Sequence, residues 1–111
     1  VLQEIASTIE SVCRETDISF RYGGEEFVVL LRKTSEMGAR IIGERLRREI
    51  NQLEIEKGAY KIQPSVSIGI GTRASGQKEH INDLFERADK ALYLAKQSGR
   101  NCVKDLHDVT A

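Results

Sequence analysis

Gly23-Gly24-Glu25-Glu26 is the stretch of this sequence best suited to chemistry. Two glycines in succession let a bulky ligand come close to the backbone and permit φ/ψ values closed to other residues. The two carboxylates that follow stand at the start of a strand-like run, where neighbouring side chains project to opposite faces. Only one of them can point into a given site. A hard oxygen ligand placed there suits Mg²⁺ carrying a nucleotide phosphate. On the tetrad alone, a solvated turn bearing two surface acids is the simpler account. The other reactive residue types offer less. Cys13 and Cys102 are far apart in the chain and lack metal-ligand spacing, so they read as two buried reduced thiols, in keeping with a cytosolic compartment. His80 and His107 stand isolated among polar residues, and neither is given a catalytic role.

The composition narrows the setting of that turn. Seventeen basic and 17 acidic side chains cancel to a formal net charge of zero. A global field for a nucleic-acid polymer or an anionic membrane is therefore excluded, and any anion site must be local. A hydrophobic share of 40% against 31% charged residues is ordinary globular usage, which sets aside disorder and collagen-like bias. A chain of 111 residues makes one small domain or a piece of one. No apolar run approaches membrane-spanning length, and no signal peptide is read at the start.

The elements that must hold the turn follow from periodicity. Leu2, Ile5, Ala6, Ile9, Val12 and Cys13 recur at helical spacing, which predicts an amphipathic helix from residue 1 to about 15. Residues 18–22 and 26–31 are strand-like, and the glycine pair between them signals a hairpin. Thr34-Ser35-Glu36 supplies capping chemistry for a second helix. Its expected buried stripe is Met37, Ile41, Ile42, Leu46, Ile50 and Leu53, with Arg40, Arg45, Arg47 and Arg48 crowding the rest. Glu56-Lys57-Gly58 reads as a loop. Residues 65–71 alternate, with Val66, Ile68 and Ile70 on a greasy face and Ser65, Ser67, Gly69 and Gly71 on a bare one. A polar loop through Ser75-Gly76-Gln77 follows. Ile81, Leu84, Phe85, Ala88, Leu92 and Ala95 mark a third helix, stopped by Gly99. Residues 101–104 read as a last short strand, and the tail from Asp105 is expected to fray. The order is helix, strand, strand, helix, strand, helix, strand, an α+β or α/β sandwich with helices packed on a sheet.

Four separated segments carry a family resemblance. The run from Arg21 to Leu31, with Gly23-Gly24-Glu25-Glu26-Phe27 at its centre, resembles the signature of GGDEF-domain diguanylate cyclases in its GGEEF form. Ser67-Ile68-Gly69-Ile70-Gly71 resembles the family's later strand. Ala88-Asp89-Lys90-Ala91-Leu92-Tyr93-Leu94-Ala95-Lys96 and Gly99-Arg100-Asn101 resemble its closing helix and turn. Val1-Leu2-Gln3-Glu4-Ile5-Ala6 is similar to the helix that follows the family's Gly-Asp pair. The resemblance covers residues 1 to about 104, with 105–111 as a tail. It implies a palm-like, ferredoxin-related α+β fold that condenses two GTP into cyclic di-GMP and pyrophosphate across a homodimer, with Mg²⁺ or Mn²⁺.

By the same resemblance Glu25 is the metal-site carboxylate and a catalytic residue. Glu26 is a second acid of less defined role, and Gly23 and Gly24 shape the nucleotide pocket. Lys96 and Arg100 match the basic pair that grips phosphates. Read as i,i+4 neighbours at the end of one helix, they also fit a favourable interaction with the helix dipole. Arg14-Glu15-Thr16-Asp17 matches the family's RxxD inhibitory site for cyclic di-GMP, with Arg45 as a further contact. An arginine fork can address guanine O6 and N7, and an aspartate can accept from the guanine N–H edge.

The family's domain starts earlier than this chain. A first strand with a metal-binding Asp, a Phe-Lys-x-x-Asn-Asp segment and a Gly-Asp pair have no counterpart here, and neither does the sensory or receiver module that usually precedes them. That first strand lies, by resemblance, between the hairpin and the strand at 65–71. Residues 1–111 are therefore expected to be the C-terminal two-thirds of a cytoplasmic domain, catalytically silent alone and prone to associate. A parent anchored to a membrane through an N-terminal domain is compatible with this. The alternative to a cyclase is a degenerate domain that binds cyclic di-GMP through Arg14 and Asp17.

Overall fold

The computed structural model of the chain describes residues 1–23, 26–31, 33–72 and 80–106, the side chains at 22, 23 and 26 excepted. Three helices and six short strands follow in the order α1 (Leu2–Val12), β1 (Ile18–Gly23), β2 (Glu26–Leu30), α2 (Glu36–Asn51), β3 (Ile55–Lys57), β4 (Tyr60–Ile62), β5 (Ile68–Ile70), α3 (Ile81–Gln97) and β6 (Val103–Asp105).

α1 buries Ile5, Ile9 and Val12, the positions one helical turn apart that its periodicity picks out. They meet Leu46 and Ile50 of α2 in the main core, against which Phe27, Val29, Ile42, Val66 and Ile68 also pack. The helix ends at Val12, about three residues earlier than expected. The reason is local: the Arg14 amide donates to the Asp17 carboxylate at 2.8 Å, and the Asp17 amide donates to the Arg14 carbonyl at 3.0 Å. An aspartate that offers the backbone its own acceptor competes with the helix.

α2 opens as the sequence predicts, with the Gly38 amide donating to Ser35 Oγ at 3.0 Å. Its buried face keeps Ile42, Leu46 and Ile50 of the expected stripe but is shifted away from Met37 and Ile41. Met37 is 74% exposed and Ile41 64%, while Gly43, Leu46 and Ile50 are buried. Gly43 explains the shift, because a Cβ there would lie 3.2 Å from Val103 Cγ1. The helix approaches β6 through its smallest residue rather than through its greasiest ones. Ile81, expected in the stripe of α3, is likewise exposed.

The loop expected at Glu56-Lys57-Gly58 is instead part of a hairpin. β3 and β4 pair antiparallel, Ile55 opposite Ile62 and Lys57 opposite Tyr60. Gly58 takes φ +64°, the left-handed value that a tight hairpin turn demands.

β1 and β2 form an antiparallel ladder from Ile18↔Leu30 to Gly23↔Glu26, with a bulge between Arg21 and Gly23. β5 and β6 pair in parallel, joined by α3, which packs on β5. The strand expected at 65–71 contracts to 68–70, and its bare face is where the helix lies: a Cβ on Gly69 would meet the α3 backbone. β6 runs through Asp105, which does not fray. The residue is 4% exposed and its carboxylate pairs with Arg40 at 2.7 Å, since burying a charge requires a partner. Among the described residues the strands make three two-stranded sheets, and the β1–β2 ladder is not hydrogen-bonded to β5–β6.

Candidate functional site

The hairpin sets the register of the signature. Gly23 stands opposite Glu26, where β1 hands over to β2. Gly24 and Glu25 lie outside the described residues, as does the side chain of Glu26. A groove of about 430 Å³ runs beside the hairpin, bordered by Leu2, Ala6 and Ile9 of α1 and by Phe20, Arg21 and Phe27 of the ladder. Its floor is mostly apolar, and Arg21 is a cation there to which the sequence alone attaches no role. Among the described residues no group of three or more His, Cys, Asp or Glu could hold a metal ion. One or two hairpin carboxylates are the donor set that fits Mg²⁺, which keeps waters and takes phosphate oxygens for its other ligands.

Lys96 lies in the last turn of α3, which ends at Gln97. Arg100 is not on that helix, contrary to the i,i+4 expectation. Gly99, Arg100 and Asn101 take φ of +103°, +65° and +46°, three left-handed residues in a row. The Arg100 amide doubles back to the Ala95 carbonyl at 3.0 Å, the 6→1 closure of a Schellman motif with Gly99 in the position that favours glycine. The sequence announces the stop through Gly99 but not the two non-glycine residues that follow it in the same conformation. The turn leaves Arg100 exposed.

The Arg14–Asp17 pair is brought together, with its polarity turned inward. The Asp17 side chain is only 1% exposed and accepts from Arg14 Nε at 3.1 Å, from Arg14 Nη2 at 3.0 Å and from the Arg14 amide. Arg14 Nη2 also donates to Thr34 Oγ1 at 2.7 Å. Asp17 therefore acts as the anchor that orients Arg14 rather than as an open acceptor, and its hydrogen bond raises the guanidinium pKa further. Half of the Arg14 side chain remains accessible. Arg45 on α2 is exposed and paired with Glu49 at 2.9 Å.

Arg47 is indistinguishable in the sequence from the arginines around it. In the fold it is half-buried, grips both Glu44 oxygens at 3.0 and 3.2 Å, and extends Nη1 to Asn101 Oδ1 at 3.3 Å. Its hydrogen bonds hold the Glu44 carboxyl below the usual carboxylate range. Cys13 and Cys102 are both free thiols. Burial pushes the Cys13 pKa up, which disfavours the nucleophilic thiolate. His80 caps α3, its Nδ1 accepting from the Asn82 amide at 3.1 Å, which accounts for it structurally. His107 lies outside the described residues. No described helix is long and apolar enough to cross a membrane.

Comparison with known proteins assigns this mixed helix-and-sheet fold and its Gly-Gly-Glu-Glu segment to a family. The chain belongs to the GGDEF family: the family model for the diguanylate cyclase GGDEF domain matches residues 1–102. Diguanylate cyclase A of Treponema denticola is 43% identical over 103 residues, an alignment covering 93% of this chain and 28% of that protein. The response regulator PleD of Caulobacter vibrioides is 38% identical over 105 residues, covering 93% and 23%. Among solved structures, the GGDEF domain of DgcB from Caulobacter crescentus, in complex with c-di-GMP, matches with a TM-score of 0.84 at 30% identity. That match covers 93% of this chain and 61% of that one. The active GGEEF domain of a diguanylate cyclase from Vibrio cholerae matches at 0.77 and 28% identity, over 93% and 64%. The chain thus spans about a quarter of the length of these curated relatives, 28% and 23%. The family and the α+β palm-like fold read from the four motifs are borne out.

Proposed function

We propose that this chain supplies the GGEEF hairpin, the phosphate-binding cations and the inhibitory site of a diguanylate cyclase. The reading rests on one observation above others: in a chain of the GGDEF family, the β1–β2 ladder pairs Gly23 with Glu26, the register a signature hairpin requires. The reaction joins two GTP as a homodimer, each half-site holding one. The 3′-hydroxyl of one nucleotide gives its proton to the Glu25 carboxylate as its oxygen bonds to the α-phosphorus of the other, the bond from that phosphorus to the bridging oxygen breaks, and pyrophosphate leaves. Two such steps close the ring. Gly23 and Gly24 admit the nucleotide, Glu25 and Glu26 supply carboxylates, and Lys96 and Arg100 clamp the phosphates. Mg²⁺ or Mn²⁺ at Glu25, when bound, supplies charge neutralisation at the reacting phosphate. The setting is cytoplasmic, under the control of an upstream sensory or receiver domain.

Residues 1–111 by themselves are expected to make no cyclic di-GMP and to associate. Each two-stranded ladder presents open edges, and open edges are templates for pairing. Light scattering should give a mass above the 12.5 kDa of one chain, and incubation with GTP and Mg²⁺ should yield no product. A stable monomer, or robust turnover, contradicts this expectation.

Product feedback is the second part of the proposal. Arg14, oriented by Asp17 and with half of its side chain accessible, places a cation for the acceptor edge of a guanine, with Arg45 as a further cation. In a cyclase-competent chain, Arg14→Ala should relieve inhibition by cyclic di-GMP, raising the half-inhibitory concentration by roughly tenfold, the worth of one charge-assisted hydrogen bond. The initial rate should stay near wild type. An inhibition curve unchanged by the substitution places the inhibitory site elsewhere. A degenerate cyclic di-GMP-binding module is the alternative. The preserved Arg14–Asp17 pair favours it only if product binds while no turnover is measurable.

A further inference from the structure

We infer that Arg47 is a positioning residue for Arg100, acting through Asn101 to hold the 99–101 turn in its left-handed form. The inference rests on the role proposed for Arg100 as a phosphate-binding cation. A left-handed backbone is free for Gly99, carries a cost for Arg100, whose Cβ crowds the neighbouring carbonyl, and a smaller one for Asn101, since asparagine tolerates it better than most residues. Such conformations persist where surrounding contacts over-determine them, and they gather at functional sites. Here those contacts can be named. The Arg100 amide is held by the Ala95 carbonyl, and Cys102 Sγ donates to the same oxygen at 3.4 Å. The Ile68 amide donates to the Cys102 carbonyl at 2.9 Å, tying the turn to β5. Asn101 is fixed through its side chain, by the charged Nη1 of Arg47.

Arg47 is built to act at a distance. Its Nε and Nη2 are committed to Glu44 one turn back on α2, which locks the guanidinium plane and aims Nη1 at Asn101. The side chain is 21% exposed, so it contributes little of the free positive charge that a phosphate would meet. Arg100, by contrast, is exposed and stands next to the residue that Arg47 grips. A lysine at 47 keeps the charge but cannot hold Glu44 and Asn101 at once in one plane.

The test uses a cyclase-competent chain that contains residues 1–111, with inorganic pyrophosphate as probe, and reads backbone Cα and amide shifts at Arg100 and Asn101 in the same NMR titration. Arg100→Ala should weaken pyrophosphate binding roughly tenfold, the loss of one charge-assisted contact. Arg47→Ala and Arg47→Lys should both weaken it by a similar factor and move the residue 100–101 shifts out of the left-handed range, with helix content unchanged by circular dichroism. Adding Asn101→Gly to Arg47→Ala should restore most of the affinity, because glycine takes the conformation without the clamp. Arg47→Lys binding like wild type, or no restoration by Asn101→Gly, would mean that Arg47 acts by its charge and overturns the inference. Left-handed shifts preserved in Arg47→Ala would overturn it equally. If the wild-type chain and Arg100→Ala take up pyrophosphate alike, the phosphate role of Arg100 falls, and the functional half of the inference with it. The shifts then decide whether Arg47 holds the turn.

Discussion

Glu25→Gln is expected to abolish cyclic di-GMP formation wherever residues 1–111 sit in a cyclase-competent chain, by at least about 100-fold in kcat. The substitution keeps the shape of the side chain and removes its negative charge. An amide is a far weaker ligand than a carboxylate for a hard divalent cation, and it cannot take a proton from an attacking hydroxyl. The fold should not notice. The flanking residues Gly23 and Glu26 are paired through backbone groups, which the substitution leaves in place. Changes of this kind away from a core stay within about 0.5 kcal/mol. Product quantified by chromatography should fall to background while the thermal midpoint holds. Turnover within a few-fold of wild type would remove Glu25 from the reaction.

What the sequence disclosed, and what it hid, follows from the physics of each signal. Helices α1 and α3 and the signature hairpin announce themselves because apolar spacing and a glycine pair are local patterns. The β3–β4 hairpin does not, since its strands have three residues each and are mostly solvated, so no alternation develops. The apolar pattern of α2 finds Ile42, Leu46 and Ile50 but misplaces Met37 and Ile41, because contact with β6 is marked by Gly43, which lets the helix come close to Val103. Charged residues read as surface, which hides the burial of Asp17 and Asp105. Both are inside because an arginine accompanies each. The candidate site is least legible where its geometry depends on backbone conformation. The Gly99-Arg100-Asn101 turn looks from sequence like the end of a helix, and only its left-handed φ values reveal why one arginine among many is aimed at it.

Gly69→Ala is expected to be the most damaging glycine-to-alanine change among the described residues. A methyl group on Gly69 would lie 2.1 Å from Leu92 N, 2.3 Å from Ala88 O and 2.6 Å from Leu92 Cα. All three are main-chain atoms of α3, so no side chain can swing aside. Relief requires the helix to lift from β5 by about 1 Å or more. That motion would open the contacts of Ala91 and Ala95, both fully buried on the same helix. Gly71 leaves no alternative pivot, because its own Cβ position is 2.6 Å from Leu84 O. Overpacking usually costs about 1–3 kcal/mol and more where the backbone cannot yield, in a small domain whose whole stability is of order 5 kcal/mol. A fall in thermal midpoint of at least roughly 12 °C follows from about 3 kcal/mol, or a failure to fold. Gly58→Ala is the control. It too would strain a residue, at φ +64°, but nothing lies within 4 Å of its Cβ position, so its cost should be about 1 kcal/mol. Because α3 carries Lys96 and leads into the Arg100 turn, a folded remnant of Gly69→Ala should also bind pyrophosphate poorly, while Gly58→Ala binds normally. Equal melting of the two variants would show that α3 has more freedom over β5 than these distances allow.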